Sequence, residues 1–135
     1  MGKIVDIYID YLLDLAAYIK KNAQIANTTI FKDAKSGLGC SLYLEGVAIG
    51  DASPIRTGRD MLVALKLSAP LDNWKQLLQA MGRLEKIFMN CDTENNELKV
   101  KYHVTLGAWS RSEEDDNIVF ENSLDIKCIR ININE

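Results

Sequence analysis

The sequence predicts one α+β domain over residues 1–135, with an antiparallel or mixed β-sheet and two main helices in the order α-β-β-β-α-β-β. Two segments, residues 4–21 and 70–89, repeat apolar residues at the three- and four-residue spacing of amphipathic helices. Residues 98–106 alternate strictly between apolar and polar, which is typical of a half-buried strand. The order requires no β-α-β alternation, so both helices are expected to pack on the sheet.

The first helix is predicted over residues 4–21. Its apolar stripe at helical spacing consists of Val5, Tyr8, Leu12, Leu15 and Ile19. Its polar positions recur every fourth residue and are Asp6, Asp10 and Asp14. Further apolar residues lie partly outside the stripe, namely Ile4, Ile7, Tyr11, Leu13 and Tyr18. The helix is therefore more widely apolar than a one-sided surface helix needs, and part of it is expected to meet a partner.

Strands are predicted between the helices. Residues 28–32 are β-branched and aromatic and predict a short strand, and the polar, glycine-marked segment 33–39 connects it to the next strand. Residues 41–49 predict a second strand, bent at Gly46. Residues 61–67 are almost continuously apolar. That pattern predicts a central strand covered on both faces.

The segment 50–60 is the leading candidate for a binding site. Residues 50–58 form the longest turn-rich stretch of the chain and predict a mobile loop. An ordinary hairpin loop and a docking loop both fit this pattern, and long loops on a rigid sheet often carry binding residues. The residues expected to contact a neighbouring subunit are Asp51, Pro54, Ile55, Arg56 and Arg59.

The second helix is predicted to begin at Pro70 and Asp72. Its apolar face consists of Trp74, Leu77, Leu78, Met81, Leu84 and Phe88. Gly82 inside the helix costs about 1 kcal/mol relative to alanine, so it is expected to allow close approach of another element. Beyond the helix, residues 91–97 predict a turn and residues 110–117 an acidic loop.

The last strand is predicted over residues 124–133. Its apolar residues change phase, because one set consists of Leu124, Ile126 and Cys128 and the next of Ile129, Ile131 and Ile133. A slip of one residue moves side chains to the opposite face of a sheet. We therefore expect a β-bulge or a change of face near Cys128 and Ile129.

No catalytic, metal or cofactor site is predicted, and the chain is not expected to be an enzyme. The only histidine, His103, falls on the polar side of its strand, and no nucleophile lies in a triad-like context. The acidic segments 92–97 and 113–117 lack the spacing and the glycine of an EF-hand. The cysteines are odd in number and far apart, which predicts free thiols in apolar surroundings. They are Cys40, Cys91 and Cys128.

Composition favours protein partners. The net charge is −3 and lysine and arginine are dispersed, so a nucleic-acid partner is not expected. The acidic residues of the first helix interrupt the only long apolar stretch, so no membrane span is expected. The beginning of the sequence lacks the pattern of a secretory signal, which predicts cytoplasmic residence.

The order of elements and the helix start Ala69-Pro70-Leu71-Asp72-Asn73-Trp74 resemble the tail terminator proteins of long-tailed bacteriophages. This resemblance implies a small α+β subunit of a homo-oligomeric ring, usually a hexamer, that caps the tail tube. It implies other tail or head-connector proteins as partners, and a place in the virion after assembly in the host cytoplasm. It implies no catalytic residue, and the segment 50–60 would become ordered between ring neighbours.

Other protein classes are also compatible with the sequence. Chaperones of bacterial secretion systems are small, acidic and dimeric, but they end in a helix, whereas residues 124–133 predict a strand. A cone-shaped ligand carrier or isomerase-like protein requires a polar group inside an apolar pocket. The residues that would have to line such a pocket are His103, Tyr102 or Asp125.

Overall fold

The structure, a computed structural model, describes residues 7–34, 37–53, 56–89, 91–95 and 100–131. In chain order its helices and strands are α1 (Ile7–Asn22), β1 (Thr28–Ile30), β2 (Gly39–Ser53), β3 (Arg56–Pro70), α2 (Trp74–Phe88), β4 (Cys91–Asn95), β5 (Val100–Leu106), β6 (Ser110–Glu114) and β7 (Asn117–Ile131). A single 3-10 turn, Leu71–Asn73, leads into α2. The predicted α+β class with two main helices is confirmed.

The described strands form one mixed sheet. Its order is β1-β2-β3-β7-β5-β4, and β6 also pairs with β7. Only the β1–β2 pair is parallel among the described ladders. The β3–β7 ladder is continuous from the pair Arg56–Ile131 to the pair Pro70–Asn117. This long antiparallel ladder is the centre of the sheet and places β3 as a central strand, as the sequence predicts.

Both helices pack on one face of the sheet. In α1 the predicted stripe is turned inward, and Leu12, Leu15 and Ile19 are buried. In α2 the buried residues are Leu77, Ala80, Leu84 and Phe88. They cover a row of fully buried strand residues that includes Leu42, Val63, Leu65, Leu67, Leu124 and Ile126. Burial of such side chains stabilises by about 1.5–3 kcal/mol each, so this layer is the main source of stability.

The helices are also tied to each other. The rings of Tyr18 in α1 and Phe88 in α2 lie 5.9 Å apart between centroids. Arg83 Nε donates a hydrogen bond of 2.7 Å to the carbonyl of Ala23, just beyond the end of α1. Trp109 Nε1 donates to Glu85 Oε2 at 3.0 Å, which fastens the β5–β6 connection to α2. The helical layer is thus a connected unit on the sheet.

The sheet face away from the helices, here called the open face, is not fully covered. Its positions on β3 alternate with the buried ones and include Leu62 and Lys66, which pair with Asp125 and Glu121 of β7. Leu62 is 41% exposed. The expectation that residues 61–67 are covered on both faces is therefore wrong, because both helices pack on the same side.

Two predicted connections are strands. Residues 91–95, expected as a turn, form β4 and pair with β5 from Cys91–Val104 to Asn95–Val100. The acidic loop expected at 110–117 is a hairpin in which β6 and β7 meet at Asp115 and Asp116. Both aspartates have positive φ, 47° and 65°, as a two-residue hairpin turn requires. Both acidic segments have weak intrinsic strand propensity, and each becomes a strand because it pairs with a neighbouring strand, β5 or β7.

The bulges lie in a different strand from the one predicted. No register shift occurs near Cys128 and Ile129, where the β3–β7 ladder is continuous, so the expected bulge is wrong. Because the residues of β7 alternate between the two faces of the sheet without interruption, the other expectation remains, namely that the apolar residues change face near Cys128 and Ile129. The register shifts lie in β2 instead, between Leu44 and Gly46 and again between Ile49 and Ala52. The first of these shifts coincides with the position at which the sequence predicts a bend, Gly46.

Candidate functional site

The segment 50–60, predicted as a loop, is the end of a long hairpin. Asp51 lies in β2, whereas Arg56 and Arg59 lie in β3, and Pro54 and Ile55 fall outside the described residues. The correction has a clear cause, because β7 runs alongside β3 as far as the pair Arg56–Ile131 and extends the ladder through this segment. Gly50 and Asp51 fall at a register shift in the β2–β3 ladder.

Three strands of the sheet are much longer than the helices. Strands β2, β3 and β7 have 15 residues each, which at roughly 3.3 Å per residue corresponds to about 50 Å. Helix α1 has 16 residues, which at roughly 1.5 Å per residue corresponds to about 24 Å. The far ends of the three strands, residues 48–53 of β2, 56–60 of β3 and 127–131 of β7, are here called the arm.

One edge of the arm is open. Strand β1 pairs with β2 only from Cys40 to Leu42. Among the described residues, no strand pairs with the β1 side of β2 from Tyr43 to Ser53. An edge of this kind presents unpaired backbone donors and acceptors to another chain.

A polar recess of about 300 Å³ lies at the opposite end of the open face. Lys66 is its central residue, with a side chain only 20% exposed. Its Nζ lies 3.7 Å from Asp33 Oδ1 and 3.5 Å from Glu114 Oε2. Asp115 and Ser41 also line the recess. The lysine thereby joins the connection after β1 to the β6–β7 turn, which favours a structural role for this cluster.

The side of the recess near β1 is aromatic. The Tyr43 hydroxyl donates a hydrogen bond to Asp33 Oδ1. Desolvation, assisted by this bond and the charge of Asp33, raises the pKa of Tyr43 to about 12. Phe31 packs edge-on against Tyr43 with centroids 5.9 Å apart and has a φ of 54°, an uncommon conformation for a bulky residue. Periodicity in the sequence does not reveal this arrangement, because it depends on the contact between the connection after β1 and strand β2.

The helices present apolar residues to solvent as well as to the core. On α1, Ile9 and Leu13 are exposed although their neighbours Leu12 and Ala16 are buried. On the 3-10 turn and α2, Leu71, Trp74 and Leu78 are exposed. The prediction that α1 is wider in its apolar surface than packing requires is confirmed for Leu13, whereas Tyr11 is buried in the core and Tyr18 is half-buried.

The candidate chemical residues lie apart from one another. His103 is exposed on β5, opposite Lys127 in the ladder with β7. Cys40 is fully buried, and desolvation raises the pKa of its thiol to about 12. Within the described part of the chain, no group of three metal-ligating side chains comes together.

The structure also bears on the other protein classes. The described chain finishes in strand β7, not in the helix that ends secretion chaperones. Of the three residues expected to line an isomerase-like pocket, His103 and Asp125 are exposed and neither lines the recess, whereas the side chain of Tyr102 falls outside what the structure describes. None of the described helices is long and apolar enough to cross a lipid bilayer.

Comparison with known proteins gives the fold but no family. No protein-family model matches the chain, and no curated protein matches it. A solved structure is similar with a TM-score of 0.60 and 13% sequence identity, and the alignment covers 95% of this chain and 96% of the other. At this level of identity the likeness shows a shared fold over nearly the whole of both chains and nothing about activity.

Proposed function

We propose that this chain is a structural subunit that assembles with copies of itself into a ring, as tail terminator or head-tail joining proteins do in a phage or prophage. The observation that carries the proposal is the arm, which belongs to strands about twice as long as helix α1 at roughly 3.3 Å per strand residue and 1.5 Å per helix residue. A long ladder with one open edge is a template for pairing with another chain. A neighbouring copy would cover it.

The arm supports assembly through its edge rather than through a chemical site. The open side of β2 offers backbone N–H and C=O groups from Tyr43 to Ser53. Pairing with another chain would satisfy these groups and bury the neighbouring side chains. The opposite margin of the sheet is formed by β4 and β6, so the two margins differ. Contacts between unlike surfaces repeat from subunit to subunit and form a ring where the rotation between neighbours closes.

Sedimentation velocity over a concentration series up to about 1 mM, where even a weak contact is populated, tests this proposal. The wild type is expected to form one closed species whose mass stops growing with concentration. A variant in which Asn-Gly replaces residues 49–59 joins the paired residues Ala48 and Asp60 by a two-residue turn. This variant should still fold, and its self-association should be far weaker than that of the wild type. A wild type that remains monomeric throughout overturns the proposal.

A further inference from the structure

We draw no further inference here: the strongest candidate, the polar recess of the open face in which Lys66 lies between Asp33 and Glu114, is a cluster of carboxylates that already pair with this lysine, and no second feature among the described residues points to a ligand.

Discussion

Replacing Gly82 by alanine should stabilise the folded chain. Glycine inside a helix costs about 0.8–1.0 kcal/mol relative to alanine, because the unfolded chain has more freedom to lose. Gly82 lies inside α2, and an added Cβ meets no heavy atom within 4 Å. The full gain of about 1 kcal/mol is therefore expected in the monomer, corresponding to a rise in Tm of about 3–5 °C for a chain of this size.

The free energy of unfolding is measured by urea denaturation at a protein concentration where the chain is monomeric. Gln79→Ala, at an exposed position of the same helix, is the control and should raise the free energy of unfolding clearly less than Gly82→Ala does, because glutamine is already a good helix former. A free energy of unfolding that falls or stays unchanged on replacing Gly82 by alanine would refute the reasoning.

Three further predictions concern the recess and its margins. Asp116→Gly should raise the free energy of unfolding by up to about 1 kcal/mol, because relief of the left-handed backbone at φ 65° (about 1–2 kcal/mol) exceeds the entropy that glycine adds to the unfolded chain (about 0.5–1 kcal/mol). A loss of stability in urea would contradict the hairpin turn. Lys66→Met keeps the apolar stem of the side chain but loses two ion pairs with half-exposed carboxylates. Urea unfolding should show a loss of stability of about 0.4–2 kcal/mol, and this loss should shrink in high salt. A loss that does not depend on salt would contradict the role of the ion pairs. The pKa of the Tyr43 phenol is raised from 10.0 to about 12, so the unfolded chain loses this proton at lower pH than the folded chain does. The free energy of unfolding should therefore fall as pH rises from 10 to 12, and Tyr43→Phe should reduce that fall. An equally steep fall in Tyr43→Phe would count against the hydrogen bond to Asp33.

The helices could be predicted closely from the sequence because burial on one face imposes a period that local residues must obey. In α2 the predicted face contains the buried Leu77, Leu84 and Phe88. The same face was predicted to include Trp74 and Leu78, which are exposed. Periodicity detects an apolar strip but does not distinguish a strip that meets the core from one available to a partner.

The strands were harder to predict where they depend on a neighbour. The segment 91–95 has little intrinsic strand propensity and becomes β4 only through its ladder with β5. The same holds for the arm, where Gly58 and Asp60 suggested a loop but pair with Ile129 and Lys127 of β7. The pairings of the arm join residues about 70 positions apart along the chain, and no local pattern encodes them.

The recess was missed for the same physical reason. Lys66, Asp33 and Glu114 come from three distant segments, and only the tertiary fold brings their charges together. One sign was present in the sequence, since Lys66 is the sole charge within the apolar segment 61–67. A charged residue on a mostly buried strand needs partners, so a carboxylate from elsewhere in the chain could have been anticipated.

Electron microscopy of the wild-type protein at a concentration where it self-associates tests the central claim most directly. A head-to-tail contact between unlike faces that closes on itself predicts discrete ring-shaped particles with cyclic symmetry and a fixed number of subunits. Isolated monomers, two-fold dimers or filaments of indefinite length would contradict it.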